Sequence, residues 1–269
     1  MAGLSELLCS ISRCRVIDLA QTYYIGMPHH PAHPPYLYSL NKKHGEYLNP
    51  GGSSSASDAI AFGAHVGTHI DALCHFSTQG KLYGGVEASG VQSYAGGLDK
   101  WSVDTIKPLF RRGVLLDIAA LEEVPELPAE LVITAEHLDR AAAKAGVGVQ
   151  PGDVVLLRTG WAKFWDDAAR FISHVKSPGP GLEAAQWLSE RRIFAAGSDT
   201  APFEASPNPA MPVHVHLLAE SGIHIMECLN LEELSESGAG EFLFVGAPLK
   251  IRGGTGSPFR PMALIPNED

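Results

Sequence analysis

The sequence predicts a mixed α/β fold in a single domain over residues 1–269, and three observations predict it. Apolar runs of strand length alternate with segments of helical period through the middle of the chain. Proline and glycine are spread along the whole length, so no stretch reads as an interdomain linker. Hydrophobic residues make up 45% and charged residues 19%, which supplies one large core and argues against global disorder.

In chain order, residues 1–15 read as a peripheral N-terminal segment and Val16 to Leu19 as a short strand. Gly26 to Pro35 carries four prolines and three histidines, His29, His30 and His33, so it is a rigid surface loop and not a helix or inner strand. Asn49 to Ser57 is Gly/Ser-rich and turn-like, and apolar Ala59 to Ala64 then leads into a His-rich stretch. Val114 to Ile118 and Val154 to Leu157 are compact enough to be buried strands, the second entered through a turn at Pro151-Gly152-Asp153. Between them Thr134 caps a helix through His137, Leu138, Ala141 and Ala142 that stops at Gly146. Leu182 to Arg192 is helical, with Leu182, Ala185 and Leu188 on one face. Val213 to Glu220 reads as a helix, and Ile223 to Met226, Phe242 to Val245 and Met262 to Ile265 read as strands.

Charge narrows the function classes. With 20 basic and 30 acidic side chains the net charge is −10, which disfavours nucleic acid or anionic membranes as partners. No apolar run approaches the roughly 20 residues of a membrane span. The N-terminus lacks the basic and long apolar regions of a secretory signal, and Cys9, Cys14, Cys74 and Cys228 form no CxxC pair, so a reducing cytoplasmic location is expected. Against this background 12 histidines stand out, because imidazole binds metals and moves protons near neutral pH.

The densest group of potential ligands is His65, His69, Asp71 and His75, three imidazoles and a carboxylate within eleven residues. On a helix, Asp71 is turned about 200° from His69, which splits the set. On a straight strand the four share a face, but His65 and His69 lie ~13 Å apart, at the limit of what two imidazoles bridge. A bent, extended segment satisfies all four, and Gly67 is the residue suited to bend it. Cys74 points away by parity. Taken singly, each residue also has an ordinary reading, a buried His bonded to a carbonyl or an Asp in a turn. Further ligands come from Pro212 to Leu229, where Glu227 lies in an otherwise apolar strand. Either it faces solvent or it is buried with a cation.

The motif H-x-G-T-H-x-D-x-x-x-H at His65, Gly67, Thr68, His69, Asp71 and His75 resembles the cyclase-type metal-dependent hydrolase family, which includes bacterial kynurenine formamidases and isatin hydrolases. The likeness runs through the His214 to Glu227 region to Ala247-Pro248-Leu249-Lys250-Ile251 and Gly254-Thr255-Gly256-Ser257-Pro258. It implies a swivelling β/β/α fold, a small-molecule substrate and a homodimer or homotetramer. It also implies one or two divalent ions, zinc or manganese, held by His65, His69 and Asp71, with Asp71 bridging to a second ion held by a distal His and Glu227. His214 is the distal ligand in this comparison and His216 the fallback. His75 is implied as the proton donor and acceptor. His30 stands about where formamidases place an aromatic Trp, and Ala72 is followed by Leu73-Cys74 instead of Pro, so kynurenine chemistry is disfavoured.

The expected activity is hydrolysis of an amide, formamide or lactam C–N bond by metal-activated hydroxide with His75 as proton shuttle. Thr255, in the loop Arg252 to Ser257, is a candidate substrate contact, or that loop is a plain glycine-rich turn. Two alternatives stay open: a metal-dependent cyclase or dehydratase acting on a carbonyl substrate, and a non-catalytic metal-binding protein.

Overall fold

The computed structural model describes residues 3–172 and 176–267. Nine strands form its main sheet: β1 (Cys14–Asp18), β4 (His69–Asp71), β5 (Leu109–Asp117), β6 (Val154–Arg158), β7 (Ala195–Ser198), β8 (His224–Glu227), β9 (Glu241–Gly246), β10 (Gly256–Pro258) and β11 (Met262–Pro266), with β2 (Leu37–Lys42) and β3 (Ser57–Ala61) set apart as a hairpin. The spatial order is β1-β11-β9-β5-β6-β7-β8-β4-β10. Strands β5 to β8 are mutually parallel, and antiparallel pairs extend the sheet on both sides. The mixed α/β expectation holds.

The parallel centre follows from composition. Every residue of β6 is buried, the pattern of a strand covered on both faces. Val155 and Leu157 point into one core, with Leu138 of helix α2 (Ala135–Ala145) and Leu188 of helix α3 (Leu182–Glu190), α1 being the N-terminal helix Leu4–Ser12. Val154 and Leu156 point into the other, with Met226, Phe244 and Ala263. Helix α2 starts where Thr134 accepts the His137 N–H and ends at Gly146 in the left-handed conformation, as its cap residues require.

Three expectations need adjustment. The helix expected over Val213 to Glu220 is α-helical only over Pro212–His214 and widens to a π-helix over Val215–Ser221. The strand expected through Glu227 ends there, because Cys228 takes a positive φ of 54°. The apolar stretch from Ala59 enters β3, all of whose residues are exposed in the hairpin with β2.

Candidate metal centre

Strand β4 lies between β8 and β10, and this pairing gathers distant side chains around the His-rich segment. His69 pairs with Glu227 and Ile70 with Met226 on one side, while Asp71 pairs with Gly256 on the other. The segment is extended and bent, as the ligand spacing requires: Gly67 has φ +71°, β4 covers only His69–Asp71, and Leu73–His75 forms a tight 3₁₀ turn. A Cβ on Gly67 would sit 2.6 Å from the Tyr23 ring, so the position excludes any other residue on both conformational and steric grounds. Thr68 ties the bend down, its hydroxyl accepting the Gln21 N–H at 2.8 Å and donating to the Cys228 carbonyl at 2.6 Å. The Tyr23 hydroxyl donates to the Thr68 carbonyl.

Two overlapping groups of donor atoms result, His65, His69 and Asp71, and Asp71, His214 and Glu227, each lying within 4.8 Å of one another. His69 Nε2 stands 3.4 Å from Asp71 Oδ1 and 3.7 Å from Glu227 Oε2. His214 Nε2 stands 3.1 Å from Glu227 Oε1 and 3.9 Å from Asp71 Oδ2. Two ligand atoms about 2.1 Å from one tetrahedral ion are separated by roughly 3.4 Å, so these spacings suit shared coordination. His65 Nδ1 approaches Asp71 Oδ1 at 2.6 Å, a hydrogen-bond length.

The electrostatics fit a cation. Asp71, Glu227 and His214 are buried, and Asp71 Oδ2 has no hydrogen-bond partner. Burial opposes ionisation of Asp71, yet the imidazoles of His75 and His65 hold its carboxyl well below the usual carboxylate range. Burial also opposes ionisation of Glu227, and the hydrogen bond with His214 and the charge of His69 outweigh it. For His214 burial disfavours protonation, but Glu204 and Glu227 raise the imidazole to about 10.

The far nitrogen of each candidate ligand is held. His69 Nδ1–H donates to the Gly67 carbonyl at 2.7 Å, His65 Nε2 meets the Thr255 hydroxyl at 2.9 Å, and His214 Nδ1 meets the Glu204 carboxylate. Gly256 makes room for the His65 ring, which a Cβ there would meet at 2.6 Å. His75 stacks on His65 with ring centroids 3.7 Å apart. Burial pushes the His75 imidazole down to about 3, so it is neutral at physiological pH.

A cavity of about 470 Å³ opens over this cluster. His30 lines it, as do His29 and His33, and His33 lies between His30 and His65. Apolar wall comes from Val66, Phe76, Pro202 and Met211, and no Lys or Arg is among the described lining residues. Thr255 lies outside the lining, its hydroxyl engaged with His65. His216 turns away to Ser189 at 2.8 Å and Glu220 at 3.0 Å, which leaves His214 as the distal imidazole at the cluster. Sequence reasoning missed Glu204, Tyr23 and Gly256. An acidic residue in a proline-rich stretch was the one available cue, for Glu204.

Comparison with known proteins places this geometry. The family described as "Putative cyclase" matches residues 17–205. An isatin hydrolase of Roseibium aggregatum is 30% identical over 215 residues, 77% of this chain and 74% of that protein. A kynurenine formamidase of Bacillus cereus is 26% identical over 246 residues, covering 91% of this chain and 94% of that protein. Among solved structures, one described as a novel cyclase superposes with a TM-score of 0.86 at 32% identity, over 95% of this chain and 88% of that one. Isatin hydrolase A from Ralstonia solanacearum superposes with a TM-score of 0.76 at 27% identity, over 98% of each chain. A match over most of the chain, joined to agreement in fold, makes this chain a member of the cyclase family.

Proposed function

We propose that the protein is a metal-dependent hydrolase of a non-peptide amide, formamide or lactam C–N bond. The observation that carries the reading is the pair of donor groups sharing Asp71, whose Oδ2 is buried without a partner, at the floor of an apolar cavity. His65, His69 and Asp71 would hold one divalent ion, and Asp71, His214 and Glu227 would hold a second. The ligands suit zinc or manganese. When bound, the ion supplies Lewis-acid activation of water and of the scissile carbonyl.

The chain's own residues do the rest. His75 lines the cavity over the donor groups. A neutral imidazole there takes a proton from the attacking water at one ring nitrogen and returns it to the leaving nitrogen. Stacking on His65 fixes the plane of the ring, so this proton moves within a defined geometry. His30 and the apolar walls hold an uncharged substrate and exclude bulk water. Thr255 acts through His65, keeping Nδ1 turned toward Asp71. A structural metal site is closed by four Cys or His ligands, whereas this donor set is carboxylate-rich and opens on a cavity, which favours catalysis over a scaffold.

Two finer readings accompany it. Free thiols at Cys9, Cys14, Cys74 and Cys228 support a cytoplasmic location. The β2–β3 hairpin exposes Leu37, Tyr38, Leu40 and Ile60, which supports a homodimer or homotetramer in which that arm is covered.

The test is chelation followed by reconstitution with zinc or manganese, with turnover measured on aryl formamides and cyclic lactams. Activity should vanish with chelator and return with metal. His75→Ala should keep its metal and lose about 10²–10⁴-fold in turnover. Tight metal binding with no turnover on either substrate class contradicts the hydrolase reading.

A further inference from the structure

We infer that Glu204 is the positioning residue of the distal ligand, the carboxylate that turns His214 Nε2 toward Asp71 and Glu227. The inference rests on the two-position reading of the site given above. Glu204 is 1% exposed and lies in the irregular wall between β7 and the helical segment that begins at Pro212. No Lys or Arg pairs with it among the described residues, and the three donors it meets all come from Val213 and His214. Oε1 accepts the Val213 N–H at 3.1 Å. Oε2 accepts the His214 N–H at 3.1 Å and also the Nδ1–H of the same residue.

That arrangement fixes backbone and ring together. With Nδ1 donating to Glu204, the remaining nitrogen of His214 is presented to Glu227 Oε1 at 3.1 Å and to Asp71 Oδ2 at 3.9 Å. The three imidazoles of the cluster are thus backed by different groups: a carbonyl behind His69, a hydroxyl behind His65 and a carboxylate behind His214. Only the last is an anion, and an anion behind the ring makes the outward nitrogen the strongest donor of the three. Glu204 therefore acts on one cation position and not on the other.

Glu204→Gln is a discriminating change because neither amide orientation satisfies the donors. An NH₂ placed at Oε1 opposes the Val213 N–H, and one placed at Oε2 opposes both N–H groups of His214. Zinc titration of the metal-stripped protein against a chelating indicator reads both positions without using activity. Wild type should take up two ions. The variant should bind one with wild-type affinity and the other about 10–100-fold more weakly. Two ions at unchanged affinity would overturn the inference, and so would equal weakening of both in a folded variant, the signature of a general structural role.

If the variant fails to fold, ¹⁵N-histidine NMR of zinc-loaded wild type decides. A His214 ring carrying its proton on Nδ1 supports the assignment, and one carrying it on Nε2 overturns it. Wild type binding fewer than two ions would refute the two-position reading itself and the inference with it. That failure is visible before any variant is made.

Discussion

Gly67→Ala is the perturbation whose cost is best defined by the structure. Gly67 sits at φ +71°, where a Cβ costs roughly 1–2 kcal/mol. The added methyl also falls 2.6 Å from the Tyr23 ring, so Tyr23 must withdraw. Withdrawal breaks its hydrogen bond to the Thr68 carbonyl, worth about 1 kcal/mol. It also disturbs the edge-on contacts with Tyr36 and Phe62, at 6.0 and 5.6 Å, each worth about 0.5–1.5 kcal/mol. The sum is about 3–6 kcal/mol, a fall in melting temperature of roughly 6–24 °C. Gly146→Ala is the control: its φ is +66°, but nothing lies within 4 Å of the new methyl, so only the roughly 1–2 kcal/mol conformational cost applies. Thermal unfolding of both variants, stripped of metal so that binding does not mask the difference, isolates the Tyr23 contribution. Gly67→Ala should also bind zinc about 10–100-fold more weakly, since the Gly67 carbonyl holds His69 Nδ1. Equal melting temperatures for the two variants would refute the claim that the bend is shaped around Tyr23.

Two further outcomes follow from the same geometry. Thr255→Val keeps the shape of the side chain but removes the hydroxyl from His65 Nε2, so zinc affinity should fall about tenfold or more while Thr255→Ser retains it. Calorimetric titration checks this, and a Val variant that binds as wild type would leave His65 oriented by Asp71 alone. On the hairpin, Tyr38 and Ile60 face each other across β2 and β3 and both are exposed. Replacing both with Lys should convert a dimer or tetramer to monomer in light scattering, and a monomeric wild type at tens of micromolar would remove the case for that interface.

The fold was legible where burial is two-sided. Val154 to Leu157 reads as an uninterrupted apolar run, and Val114 to Ile118 and Ile223 to Met226 as apolar runs broken only at Asp117 and His224, because side chains on both faces of the sheet centre are buried in the two cores. The hairpin was not legible for the opposite reason. Its strands are exposed at every residue but Lys42, so Leu37 to Lys42 has no inward face and no alternation to betray it. The order of the strands was equally silent: nothing in the sequence places Gly256–Pro258 beside His69–Asp71 at a sheet edge.

The same physics divides the site. His65, His69, Asp71 and His75 share one short segment, and within it the pitch of a helix and the rise of a strand are fixed, so spacing alone could reject a helix and demand a bend at Gly67. Glu204 is only ten residues from His214, yet the chain between them is irregular and imposes no period, so their contact left no trace in the spacing. Thr255 is 190 residues from His65 and meets it through the register of β10 against β4. Ligands that must converge on one ion can be recognised by mutual geometry. The groups that aim them are each bound to a single ring nitrogen, a constraint any buried acceptor or hydroxyl can meet from anywhere in the chain. Glu204 is for that reason the part of the site that the structure adds.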